Sequence, residues 1–130
     1  NISSIFYFNK TNTLYAGSEF GLNTITDGKV SEIQVPELVN TSILSIHSFK
    51  DSLIMLGSSG AGIAFLDPVS KKTRLLNTRD GLLSDFIYFV APDEEDRLWV
   101  GTEKGINRIK LNSQLEIVES LHYGFENCLT

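Results

Sequence analysis

Apolar residues recur along this chain in short runs separated by polar turns, and the runs repeat three times in one register. The central phrase is Leu14-Tyr15-Ala16-Gly17-Ser18, then Ile54-Met55-Leu56-Gly57-Ser58, then Leu98-Trp99-Val100-Gly101-Thr102, a period of about 40 to 44 residues. After each phrase comes a polar turn ending on a second glycine, Gly21, Gly62 or Gly105. A second apolar stretch follows, at 22–25, 63–66 and 106–109. A period of this size marks stacked supersecondary units.

Each unit reads as four short strands. The first is rich in β-branched and aromatic residues, at 2–8, 43–46 and 86–90. The glycine phrase is the second strand and the stretch after the second glycine is the third. A fourth follows a polar turn, at 30–35, 73–77 and 115–121. Asp27-Gly28 is a strong hairpin signal between the third and fourth strands. Asp67-Pro68 and Asn112-Ser113 occupy the same place in the later units. Short connections imply antiparallel neighbours.

The second strand separates the candidate folds. Leu98 and Val100 point to one side and Trp99 to the other, so both faces are apolar. A sheet with one wet face would alternate cleanly. Four-stranded antiparallel sheets, repeated at this period and covered on both sides, are the blades of a β-propeller. The expected fold is therefore all-β: three four-stranded antiparallel blades, at 1–40, 41–84 and 85–130. The last stretch includes the start of a crossing to a further blade. An immunoglobulin-like sandwich suits the length but does not explain a threefold echo.

Composition removes several function classes. The 130 residues carry a net charge of −5, and the 11 Lys and Arg are scattered, with Lys71-Lys72-Thr73-Arg74 the one cluster. That argues against nucleic acid as a partner. The longest apolar run, 86–91, is far below the roughly 20 residues needed to span a bilayer, so no direct membrane contact is expected. One cysteine, Cys128, excludes an internal disulfide framework and a cysteine-based zinc site. The acidic run Asp93-Glu94-Glu95-Asp96 lacks the spacing and glycine of a calcium loop, and reads as a solvated turn. His47 and His122 have no nucleophile at an interpretable spacing. No catalytic residue, metal or cofactor is expected. Trp99 reads as inter-blade core rather than a sugar-stacking platform, because it sits in the phrase every unit shares.

The repeats resemble the two-component regulator propeller repeat. The third unit carries the fullest match: Gly81-Leu82-Leu83-Ser84-Asp85, Ile87-x-x-Val90, the acidic turn at 93–96, Leu98-Trp99-Val100-Gly101-Thr102 and Gly105-Ile106-Asn107-Arg108. In the first two units Tyr15 and Met55 replace the tryptophan, and Thr24 and Phe65 replace the arginine. The resemblance implies a non-catalytic sensor. In that family the propellers form the extracytoplasmic input regions of histidine kinases, often hybrid kinases of gut Bacteroidetes, and many respond to glycan fragments. It thus implies a periplasmic location and an oligosaccharide-like ligand, with any kinase activity belonging to a parent protein. A protein-interaction scaffold is the alternative, and a fragment of a propeller enzyme such as a lyase a third reading.

Propellers close with about four to eight blades. Three blades leave two apolar faces uncovered, so self-association through blade faces is expected, and the missing initiating Met reads as a piece of a longer protein. The turns between second and third strands, and the crossings between units, should emerge at one end of every blade. That end carries Ser18, Glu19 and Phe20; Ser58 and Ser59; Arg79, Asp80, Ser84 and Asp85; and Glu103 and Lys104. Loops on a rigid scaffold are where binding residues concentrate, so these are the candidate ligand contacts.

Overall fold

The computed structural model describes residues 1–124. The expected crossing at 127–130 and Cys128 lie outside the described residues. The chain forms three antiparallel four-stranded sheets. Blade 1 holds β1 (Ile2–Phe8), β2 (Thr13–Ser18), β3 (Gly21–Thr26) and β4 (Lys29–Ile33). Blade 2 holds β5 (Ile43–Phe49), β6 (Leu53–Ser58), β7 (Ile63–Leu66) and β8 (Thr73–Leu76). Blade 3 holds β9 (Ile87–Pro92), β10 (Leu98–Thr102), β11 (Gly105–Leu111) and β12 (Ile117–Gly124). Within each blade the strands pair in sequence order, and the first strands β1, β5 and β9 lie side by side between blades. This is the radial arrangement of propeller blades, with the first strand innermost.

The fourth strands differ from the expected boundaries for local reasons. β4 stops at Ile33 because Pro36-Glu37-Leu38 forms a short 3-10 turn that buries Leu38 beneath the crossing. A second such turn, Thr78–Asp80, interrupts the next crossing, capped by Asn77 and Asp80 in a reciprocal box. β12 starts later than 115 because the Asn112 carboxamide accepts from the N–H groups of Gln114 and Glu116. Leu115 is thereby held at φ 61° in the turn, and its side chain packs into the joint between blades 2 and 3. Asp27 and Gly28 both have positive φ, the geometry a two-residue hairpin needs.

The core is two inter-blade joints. Between blades 1 and 2, Tyr15, Leu22 and Phe8 meet Ile43, Ile46, Ile54 and Leu56. Between blades 2 and 3, Met55, Ile63 and Phe65 meet Ile87, Val90, Leu98 and Val100. Neighbours along β6 thus serve opposite joints, which is why the sequence shows no polar face there. Burying each such side chain contributes about 1.5–3 kcal/mol.

One contact recurs in both joints. The phrase glycine leaves a gap in the sheet surface, and the first isoleucine of the next blade fills it. A Cβ on Gly17 would lie 2.7 Å from Ile43 Cγ2 and 2.6 Å from Ser4 Oγ. A Cβ on Gly57 would lie 2.9 Å from Ile87 Cγ2 and 2.6 Å from Ser45 Oγ. Neither glycine has a positive φ, so the requirement is space rather than backbone conformation. Gly57→Ala is therefore expected to destabilise the fold by about 1–3 kcal/mol through overpacking, as a lowered urea midpoint with unchanged m-value.

Candidate binding face

The β2–β3, β6–β7 and β10–β11 turns and the two crossings emerge at one end of the blades, as the strand order requires. Buried hydroxyls lock these turns. The Ser18 Oγ accepts from Phe20 N–H, the Ser58 Oγ from Ala61 N–H and the Thr102 Oγ1 from Lys104 N–H. Ser58 also donates to the Gly62 carbonyl at 2.8 Å, and Thr102 to the Gly105 carbonyl at 2.8 Å. Ser18 and Ser58 therefore shape their turns and point away from solvent.

The crossings are tied in the same way. Ser59 Oγ accepts from Ser42 N–H at 2.8 Å, and the Gly62 N–H donates to the Asp85 carbonyl at 2.9 Å. The turn of blade 2 is thus pinned to both crossings. Asp85 accepts from Thr78 N–H and Asp80 from Asn77 N–H. Buried Ser84 donates to Glu103 Oε1 at 3.1 Å, joining the second crossing to the turn of blade 3. Arg79, Lys104, Glu19 and Phe20 are left facing solvent. Phe20 is 83% exposed, a large apolar ring at the tip of a turn.

Beside Phe20 lies a cleft of about 320 Å³, between the blade 1 turn and the first crossing. Its walls include Glu19, Glu32, Val35, Leu38 and Val39, with Asn40 at one rim. Val39 is 70% exposed. Nearer the inner strands, Tyr88 projects from a register shift between Ile87 and Phe89, and its ring packs on Phe86 with centroids 5.1 Å apart. The same shift occurs at Ser3 in β1 and Leu44 in β5. A bulge of this kind re-aims one side chain out of the sheet. Tyr88 and the cleft residues other than Glu19 and Phe20 are not among the loop residues that the sequence singles out. The bulge has no signature in the residues themselves, whereas Val39 next to polar Asn40 was visible as an apolar residue in a loop.

At the opposite end, the acidic run makes a rigid turn. Asp93 accepts from the N–H groups of Glu95 and Arg97, from the Arg97 guanidinium and, at 3.1 Å, from Trp99 Nε1. Partial desolvation pushes the Asp93 carboxyl up, but these bonds and the Arg97 charge outweigh it, and its pKa falls to about 2. Among the described residues no group of three His, Cys, Asp or Glu side chains is placed to share a metal ion. Trp99 is not buried in a joint. It lies half-exposed on the outer face of blade 3, stacked on Tyr123 and flanked by the Arg108 guanidinium 5.7 Å from its ring. Tyr15 and Met55, at the same position, are covered by the following blade. Among the described blades the position is thus core wherever another blade follows it.

No family model matches the chain, and no curated protein matches it in sequence. Solved structures do resemble it in fold. One extracellular domain of B. thetaiotaomicron, described in one structure as that of a putative hybrid two-component system and in another as that of a putative one-component system, superimposes in both. In one the TM-score is 0.75 over 98% of this chain at 20% identity, and in the other 0.73 over 86% at 19%. A second B. thetaiotaomicron hybrid two-component system gives 0.58 over 92% of the chain at 18% identity. Virginiamycin B lyase from Staphylococcus aureus gives 0.69 over 95% at 12%. The chain spans 15% to 17% of the first system's extracellular domain and 22% of the second's. These likenesses establish the propeller-blade fold. No helix among the described residues is long and apolar enough to cross a membrane.

Asp93 gives this geometry a pH signature. Its carboxylate form is favoured by the fold, so the stabilisation is complete above its unfolded value near 4 and is lost as pH falls towards 2. Asp93→Asn is expected to flatten the thermal-midpoint profile between pH 4 and 2 relative to the parent chain.

Proposed function

We propose that this chain is part of the extracytoplasmic input region of a two-component signalling protein, acting by binding rather than catalysis. Its ligand is a glycan-derived molecule, and the contact surface is the end bearing the blade turns and crossings. The observation that carries the reading is the superposition on extracellular domains of two putative hybrid two-component systems, over 86% and 92% of the chain. It gains support from the residue-level match of the third unit to the sensor propeller repeat. The described part of this end also carries exposed aromatic surface, at Phe20 and Tyr88, on a hydrogen-bonded frame. Aromatic faces beside carboxylates and amides suit the apolar faces and hydroxyls of a sugar. A lyase shares the fold, but fold alone does not assign chemistry.

In this reading Glu19, Phe20, Arg79, Lys104 and Tyr88 meet the ligand, with Glu103 reaching it while its Oε1 accepts from Ser84; Ser18, Ser58, Ser59, Asp80, Ser84 and Asp85 serve chiefly through the hydrogen bonds that hold the turns and crossings. A glycan panel followed by calorimetry on the complete input region tests this. Saturable binding of a defined oligosaccharide is expected. Phe20→Ala should weaken it about 10-fold, corresponding to about 1.4 kcal/mol, with stability unchanged within about 0.5 kcal/mol, as for an exposed site. Silence across the panel, with a protein partner recovered instead, would overturn the sensor reading in favour of an interaction scaffold.

A further inference from the structure

The three blades do not close their turns alike. In blades 2 and 3 the end of the fourth strand lies against the second glycine of the turn. A Cβ on Gly62 would collide with the Leu76 carbonyl oxygen, and one on Gly105 with that of Tyr123. A Cβ on Gly21 would meet nothing within 4 Å. The cause lies in the sequence between blades 1 and 2. β4 stops at Ile33, opposite Leu22, and Pro36 opens the 3-10 turn that draws Leu38 inward. A proline offers no N–H to extend the ladder. The backbone that would close this turn is diverted, and the cleft of about 320 Å³ stands in its place. It is lined from blade 1, the first crossing and Ile43 of blade 2, so it belongs to a joint that the chain itself completes.

We infer that this cleft holds one uncharged sugar ring of the ligand, and that its acidic lining turns away sugars bearing a carboxylate or sulfate. The inference rests on the glycan reading above and adds the chemical class. The volume is at the low end of the range of about 300–1,000 Å³ for small-molecule sites, which suits a single ring rather than a length of chain. Exposed Phe20 and Val39 and buried Leu38 supply apolar surface for the C–H face of a sugar. Glu19 and Asn40 supply hydrogen-bonding groups for its hydroxyls, since a carboxylate accepts and a carboxamide both donates and accepts. Among the described residues neither of these side chains has a partner elsewhere.

Charge sets the class. The ionisable residues lining the cleft, Glu19 and Glu32, are both acidic, and among the described residues no Lys, Arg or His joins them. Arg79 and Lys104 belong to the second crossing and the blade 3 turn. An anionic sugar in the cleft would face like charge with no cation to offset it. A neutral sugar instead donates a hydroxyl to the carboxylate, a charge-assisted bond. By strand register Glu32 lies on the face of β4 turned away from Ile43, which leaves Glu19 as the residue that sets the preference.

Calorimetry on the complete input region tests this, with circular dichroism confirming that each variant is folded. The probes are cellobiose, maltose, mannobiose and lactose, each beside the same disaccharide oxidised to a uronic acid at C6 of its non-reducing ring. At least one neutral sugar is expected to bind, with its uronic counterpart weaker by about 10-fold or more. Glu19→Gln should bring the two within about 3-fold of each other. Val39→Trp, at an exposed position, fills the cleft and should weaken the neutral sugar by about 10-fold or more. Equal binding by both members of a pair, a Glu19→Gln variant that keeps the gap, or a Val39→Trp variant that binds unchanged would each overturn the inference while the glycan reading stands. So would a uronic acid that binds more tightly than its neutral partner. If no sugar of either set binds, the inference falls, and the broader glycan panel decides the reading on which it rests.

Discussion

The fold depends on a missing side chain. At Gly17 and Gly57 the sheet surface has a gap one methyl group wide, and the first isoleucine of the following blade sits in it. Everything else in the joint follows from that approach. It brings the inner strands β1, β5 and β9 side by side. It also seals Met55 and Phe65 on one side of blade 2 and Ile54, Leu56 and Ala64 on the other. Protein interiors are packed as densely as molecular crystals, so a joint of this kind tolerates little change in volume.

The same packing fixes the candidate binding face. With the blades locked together, the crossings cannot wander, and the turn hydroxyls of Ser18, Ser58 and Thr102 hold their backbones from beneath. The Gly62–Asp85 and Ser84–Glu103 bonds then couple adjacent blades at that end. Residues left over from this framework, Phe20 and Tyr88 among them, are presented on a rigid surface at low entropic cost. Preorganisation of that kind is how a repeat scaffold turns small loops into a recognition surface.

Much of this was legible in the residues. The threefold phrase Leu98-Trp99-Val100-Gly101-Thr102 and its earlier copies announced the blades, and apolar positions on both faces of the second strand announced that the sheets are stacked. Asp27-Gly28 located its hairpin. Other features follow from tertiary context. β4 ends early because Leu38 is drawn under the crossing, and Leu115 becomes a turn residue because Asn112 captures the backbone around it. Trp99 reads as core from its phrase, yet whether that position is covered depends on a neighbouring blade rather than on its own strand. Ser18, Ser58 and Ser84 stand out in the sequence by their loop positions, whereas the hydrogen bonds they make within the turns and crossing depend on backbone geometry that the sequence does not display. Tyr88 is turned outward by a one-residue register shift that its residue type does not signal.

A double-mutant cycle between Gly57 and Ile87, measured by equilibrium urea unfolding, tests the central claim most directly. Gly57→Ala fills the gap and Ile87→Ala empties the knob that occupies it, the latter alone costing about 2–5 kcal/mol. If the isoleucine rests on the glycine as described, the added methyl group partly fills the cavity left by Ile87. The double variant should then be more stable than the sum of the single effects by about 1 kcal/mol or more. Additivity within about 0.5 kcal/mol would show that the two positions do not share a joint.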